Sequence, residues 1–266
     1  MPWSLLEIPG ALSAYALVLF RLTGLALTAP IYASSVMPGR LRAALVMTIA
    51  ALMFPVVGRQ APGELTLVML LVGGVGELAI GLTIGLGLSL FVMAMEIGGL
   101  MIGQQAGIAV AQTFDPTRNV ETSILGQVYT IVLMTLFLVA GGHRATMAAL
   151  LDTFKVIPLL SFRFEESVVM MLVEMLTAAF ILGIRIAGPV LIALFLMGTA
   201  MGFLSRTMPQ FNILSVGFTL RVLVTMGVAG FALVGCEEPL LDGIWDALSS
   251  IRASLGVDSF PVGLAG

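Results

Sequence analysis

Charge is scarce in this chain of 266 residues: 12 basic and 15 acidic side chains make up 10% of it. A soluble domain carries about 25%, so a water-soluble globule is excluded. The single cysteine, Cys236, excludes an internal disulfide and a cysteine-rich metal site. The single histidine, His143, excludes every motif that needs two imidazoles, HExxH among them. Lysine occurs once, as Lys155, and the net charge is -3. Without clustered Lys and Arg to meet phosphates, a nucleic-acid partner is not expected. The chain also lacks a GxSxG elbow, a Walker A loop, a GxGxxG leading out of a strand, and a Cys/His pair placed for nucleophilic attack. No enzyme, cofactor or metal site is therefore expected.

What fills the chain instead is apolar: 59% of residues are hydrophobic and the mean hydropathy is +1.11. Several uncharged stretches approach the roughly 20 residues that a membrane-crossing helix needs, which predicts an all-α, polytopic membrane protein. Met1 to Gly10 has no Lys or Arg and contains Glu7. A cleaved signal begins with a basic region, so the first apolar segment is expected to belong to the mature fold.

Proline, glycine and charge divide the rest. The first run covers about Ala11 to Ala33, and a second, Ala43 to Val57, is short for a full crossing. A third extends from Leu65 to Phe114, long enough for two helices or one broken helix. Asp115 to Glu121 reads as a loop, since proline removes a donor and disfavours helix in the residue before it. Thr122 to His143 is uncharged up to the histidine. In the second half the apolar regions are Ser167 to Gly188, Pro189 to Leu204 and Phe211 to Cys236. The tail from Glu237 places Leu241, Ile244, Trp245, Leu248, Ile251 and Leu255 at helical spacing, which predicts an amphipathic helix on an interface or a partner. Arg40 and Arg42 assign the first loop to the cytoplasm, but the later arginines do not alternate cleanly. Some hairpins are thus expected not to cross a bilayer in the usual way.

Three features carry functional weight. Small residues recur every four positions at Gly81 and Gly85, at Gly99, Gly103 and Gly107, and at Gly198 and Gly202, a spacing that lets helix backbones approach closely within the chain or between subunits. Six charges interrupt apolar runs: Arg21, Glu77, Glu96, Glu174, Arg185 and Arg221. Such residues face a bundle interior, a partner or water, and either pair with one another structurally or carry protons in a transporter. Finally, Gln104, Gln105, Gln112, Asp115, Arg118, Asn119 and Glu121 surround an apolar-to-loop transition, either a surface turn or the lining of a conduit.

Three blocks resemble a known family. The first is Leu204, Ser205, Arg206, Thr207, Met208, Pro209, Gln210, Phe211, Asn212 and Ile213, continuing through Val216 to Leu220. The second is Gly103, Gln104, Gln105, Ala106 and Gly107 with Phe114, Asp115, Pro116, Leu125, Gly126, Gln127, Gly142 and His143. The third is Phe20 to Gly24, Ala29 and Pro30, then Met37, Pro38 and Arg40. Together they resemble the FliR family of flagellar type III export-gate proteins, called SctT in injectisomes.

The resemblance implies a FliP-like helical part over residues 1–166, a FliQ-like hairpin over 167–236 and an amphipathic tail over 237–266. It implies assembly with FliP, FliQ and FlhB in the inner membrane at the flagellar basal body, partly raised toward the periplasm, where unfolded flagellar proteins pass outward. Residues 107–122 correspond to the family's plug. Gly103, Gln104, Gly107, Val110, Thr113, Phe114, Asp115 and Pro116 are its candidate gate residues, although relatives often place more than one phenylalanine there. Gly81, Gly85, Gly99, Gly198 and Gly202 are expected to pack helices or subunits. Arg21, Glu77, Glu96, Glu174, Arg185 and Arg221 are expected as buried charge pairs. Arg206, Pro209, Gln210 and Asn212 are expected at the turn of the last hairpin. The injectisome subunit is the near alternative, and a proton-coupled secondary transporter the distant one.

Overall fold

A computed structural model describes residues 7–8, 10–33, 37–57, 65–108, 123–161, 166–208, 213–235 and 237–254. The protein is all-α, as its composition predicts. Among the described residues it has eight helices: α1 (Gly10–Thr28), α2 (Gly39–Val57), α3 (Leu67–Ala106), α4 (Ile124–Val139), α5 (Gly142–Val156), α6 (Glu166–Thr207), α7 (Ile213–Gly235) and α8 (Glu237–Ser254). A two-residue antiparallel pairing joins β1 (Glu7–Ile8) to β2 (Leu65–Thr66), with Glu7 opposite Thr66. Five helices are long and apolar enough to cross a membrane, or six spans if α4 and α5, bent by 66° at their junction, count as one.

Several boundaries differ from those read in the sequence. α2 takes in Arg40 and Arg42 and reaches 19 residues, so it is longer than its uncharged run, which is short for a full crossing. α3 is one continuous helix of 40 residues, and α6 runs unbroken through Pro189 for 42. In apolar surroundings a broken helix leaves main-chain groups that water cannot satisfy, and this outweighs the helix weakening of about 0.5–1 kcal/mol per glycine.

The chain divides into two compact units. The first comprises Met1–Leu90, Gly141–Leu176 and Trp245–Gly266, the second Phe91–Ala140 and Thr177–Ile244. In the first, Leu17, Leu22 and Leu25 of α1, Ile80 and Ile84 of α3, and Leu150 and Phe154 of α5 are almost fully buried. α1 and α3 meet glycine to backbone. A Cβ on Gly24 would overlap the Leu78 carbonyl oxygen, and one on Gly81 the Arg21 carbonyl oxygen. The end of α8 belongs here too, with Ile251 buried and Arg252 Nη2 paired with Asp152 Oδ2.

In the second unit a Cβ on Gly99 of α3 would overlap the backbone of Gly126 in α4, and one on Gly183 of α6 would lie 2.8 Å from the Ala94 carbonyl oxygen. The start of α8 lies in this unit, where Leu240 and Ile244 are buried. The apolar stripe of α8 is thus largely covered by this chain rather than left for an interface or a partner, which corrects the sequence expectation. Ile244, Leu248 and Ile251 are buried, Leu241 is half-buried and Trp245 stays exposed.

Candidate functional site

Two constellations stand out, one in each unit. In the first, Arg21 and Glu77 are fully buried and bonded, Arg21 Nε donating to Glu77 Oε2 at 2.6 Å. The other two nitrogens of the guanidinium are bonded as well: Nη1 donates to Thr153 Oγ1 at 2.9 Å and Nη2 to the Ile157 carbonyl at 3.2 Å. Its plane lies over the Phe154 ring, with Cζ 3.9 Å from the centroid, where the ring's negative face meets the cation.

Glu77 does the complementary work. Its Oε1 accepts the Leu160 N–H at 3.1 Å, in a turn where Leu160 adopts φ 69°. A left-handed conformation costs a residue with a Cβ about 1–2 kcal/mol, so neighbours must hold this turn. The Leu160 side chain occupies the space that a Cβ on Gly73 would fill. One pair of charges therefore ties together α1, α3, α5 and the turn after α5. A buried pair survives in an apolar medium when further hydrogen bonds meet its other polar atoms, and here each guanidinium nitrogen and each carboxylate oxygen has a partner.

The other four intramembrane charges behave differently. Glu96, Glu174 and Arg185 are exposed on this chain and Arg221 is half-buried. None of the four forms an ion pair among the described residues. Within the single chain these positions are therefore not buried pairs, because the helix faces that carry them are not covered by it, and pairing with a neighbouring subunit is the form of the expectation left to them. Arg206 is likewise exposed at the end of α6. Among the described residues no group of three His, Cys, Asp or Glu stands close enough to hold a metal.

The second constellation brackets the segment read as a plug. α3 stops where Gly107 takes φ 82°, with Gly107 N–H donating to the Gln104 carbonyl and Ile108 N–H to the Gly103 carbonyl, both at 3.1 Å. This is a Schellman stop, which glycine favours because it has no Cβ to clash. At the other side Ser123 caps α4. Its Oγ accepts from Gly126 N–H at 3.5 Å and donates to the Gly99 carbonyl at 3.2 Å. Gly103 sits beside Ser123, where its own Cβ would come 2.9 Å from that Oγ. Gln104 is exposed and Gly103 buried. The bases of α3 and α4 are thereby drawn together at a neck. Val110, Thr113, Phe114, Asp115 and Pro116 lie outside the described residues, as do Pro209, Gln210 and Asn212 of the expected hairpin turn.

The small-residue stripes also separate. Gly81, Gly85 and Gly99 face backbone or side chains of neighbouring helices, whereas Gly198 meets only the Arg221 guanidinium at 3.9 Å and Gly202 meets nothing within 4 Å. Sequence reasoning missed Thr153, Leu160 and the Asp152–Arg252 pair, whose bonds join positions 83 to 132 residues apart. It also passed over Ser123, although a serine opening an apolar run is a readable helix start.

Long apolar helices, two of 40 residues or more, drawn together at a glycine neck define a membrane-type helical scaffold. The family described as bacterial export proteins, family 1, matches residues 12–242, and the chain belongs to that family. It is 28% identical over 241 residues to the flagellar biosynthetic protein FliR of Pectobacterium carotovorum subsp. carotovorum, covering 88% of this chain and 91% of the relative. With the FliR of Escherichia coli (strain K12) the identity is 27% over 248 residues, covering 92% and 94%. The Yop proteins translocation protein T of Yersinia pestis is 28% identical over 228 residues, covering 84% and 85%.

Proposed function

We propose that this chain is a non-enzymatic, channel-forming subunit of a flagellar type III export gate, assembling in the bacterial inner membrane with FliP, FliQ and FlhB around a path for unfolded proteins. The carrying observation is the family match over residues 12–242, with FliR relatives aligned over nearly the whole chain. In this reading residues 1–166 are the FliP-like part, 167–236 the FliQ-like hairpin and 237–266 the tail.

Two physical observations support a shared assembly. Arg185 is exposed on an apolar helix, and a cation facing lipid at mid-bilayer costs about 2.5–3.5 kcal/mol or more. A protein partner or water must therefore meet it. α3, at 40 residues, measures about 60 Å at a rise of about 1.5 Å per residue, twice the roughly 30 Å hydrocarbon thickness. Part of such a helix needs protein cover beyond the bilayer, in keeping with an assembly raised toward the periplasm.

Residues 107–122 form the plug in this proposal. Phe114, with Val110 and Thr113 near it in sequence, is the candidate seal against ions when no substrate is present, and Asp115 and Pro116 belong to the same segment. Pro209, Gln210 and Asn212 with Arg206 dock the last hairpin. The similarity to the Yersinia translocation protein T favours, as a second reading, the equivalent subunit of an injectisome. The test is the native mass of the chain in mild detergent, alone and co-expressed with FliP and FliQ of the same organism. A stable hetero-oligomer with those partners is expected. A well-behaved monomer or homodimer that ignores them overturns the reading and turns attention to Glu96 and Glu174 as transporter residues.

A further inference from the structure

We propose that the buried Arg21–Glu77 pair is a register clamp: it selects one docking of α5 on α1 and α3 and holds the turn after α5 in its left-handed form. The need for such a device follows from composition. α1, α3 and α5 bury mostly aliphatic side chains, Leu17, Leu22, Ile80, Ile84 and Leu150 among them, and dispersion between aliphatic surfaces is undirected. A guanidinium and a carboxylate in that interior discriminate sharply, because any displacement leaves buried polar atoms without partners.

Each guanidinium nitrogen and each carboxylate oxygen has its own partner. Arg21 Nε meets Glu77 Oε2, Nη1 meets Thr153 Oγ1 and Nη2 meets the Ile157 carbonyl, while Glu77 Oε1 meets the Leu160 N–H. Thr153 Oγ1 in turn donates to the Leu150 carbonyl at 2.6 Å, which orients its lone pairs toward Arg21. A slide of α5 by one turn removes Thr153 and Phe154 from the guanidinium together. The turn is fixed from two directions: Glu77 holds the Leu160 amide, and the absent Cβ of Gly73 leaves room for the Leu160 side chain. Arg21 and Glu77 are accordingly positioning residues, and the element they position is the turn between α5 and α6.

Lys155 is the one lysine of the chain and lies exposed in the last turn of α5, so a lysine-specific endoprotease reports on this corner through a single cut. The full chain in mild detergent, with helix content followed by circular dichroism, is compared with Glu77→Met, Arg21→Met/Glu77→Met and Gly73→Ala. The single variant leaves Arg21 buried without its counter-charge, and loss of helix content or cleavage at least tenfold faster than wild type is expected. In the double variant helix content returns while cleavage after Lys155 stays at least tenfold faster, since nothing accepts the Leu160 amide. Cleavage of the double variant at the wild-type rate overturns the proposal, as does a Glu77→Met chain with wild-type helix content and cleavage rate. Should the double variant fail to fold, Gly73→Ala decides, because it keeps both charges and denies Leu160 its space. Cleavage at least fivefold faster supports the clamp, and the wild-type rate overturns it.

Discussion

The corner formed by α1, α3 and α5 and the pair of helices α6 and α7 carry the same sequence signals and use them in opposite ways. In the corner, glycines press against backbone at Gly24 and Gly81, and the two charges are buried against each other. In α6 and α7, Gly202 and Gly217 meet nothing within 4 Å, Arg185 is exposed, and Phe195, Phe203 and Phe231 are more than 60% exposed. Glycine spacing and intramembrane charge therefore announce a contact without saying which chain completes it. The corner completes its contacts internally, whereas at these positions of α6 and α7 this chain supplies no close neighbour.

The sharpest way to break this comparison is to delete one charge from each region. Arg21→Met strands Glu77 in an apolar interior, and breaking a buried pair from one side costs about 3–5 kcal/mol. Arg185→Met removes an exposed charge that pairs with nothing among the described residues, so the isolated chain should lose less than about 0.5 kcal/mol. Thermal loss of helical signal in mild detergent checks both. Equal effects would erase the distinction between the regions.

Glycine gives the next largest contrast. Gly81→Ala drives a methyl into the Arg21 carbonyl and the Leu25 amide of α1, main-chain atoms that cannot rotate away. Overpacking of this kind costs about 1–3 kcal/mol. Gly107→Ala is a smaller perturbation of another type. Its surroundings are roomy, with Phe218 3.8 Å from the would-be Cβ, but φ is 82°, and an alanine there loses about 1 kcal/mol. The same thermal measurement orders the two. A Gly107→Ala chain as damaged as Gly81→Ala would mean that the neck is packed more tightly than its geometry indicates.

How much of this was legible beforehand follows from the range of each interaction. The all-α class and the presence of long apolar helices are local properties, written in composition, whereas the apolar run was read to Phe114 and α3 ends before Gly107. The continuity of α3 and α6 was not legible, because Gly and Pro189 signal breaks in water and lose that force where broken backbone has no solvent to bond. Arg21 and Glu77 were visible as misplaced charges, yet nothing local distinguished them from Glu96, Glu174, Arg185 and Arg221. The difference lies in Thr153, Phe154 and Leu160, which are unremarkable in sequence and become polar or steric partners only once α5 folds back. The same holds for α8, whose amphipathic pattern was plain but whose cover, ending in Arg252 against Asp152, lies far away in the chain.

The smallest expected change in the isolated chain tests the comparison most finely, because its sign should reverse on assembly. Gly202 lies in the interior of α6 with open space where its Cβ would be. Alanine restricts the unfolded backbone and favours helix, so Gly202→Ala should stabilise the purified chain by about 0.5–1 kcal/mol. If the stripe of Gly198 and Gly202 is a surface on which a partner helix lies, the added methyl holds the two backbones apart, and the yield of the co-expressed complex should fall in proportion to side-chain size from Gly to Ala to Leu. A complex yield indifferent to Leu at 202 would assign this face to lipid and confine subunit contacts to other surfaces of α6 and α7. Stabilisation of the single chain together with weakening of the complex is an outcome that lipid exposure does not produce, since lipid accommodates a methyl as readily as it does the bare backbone.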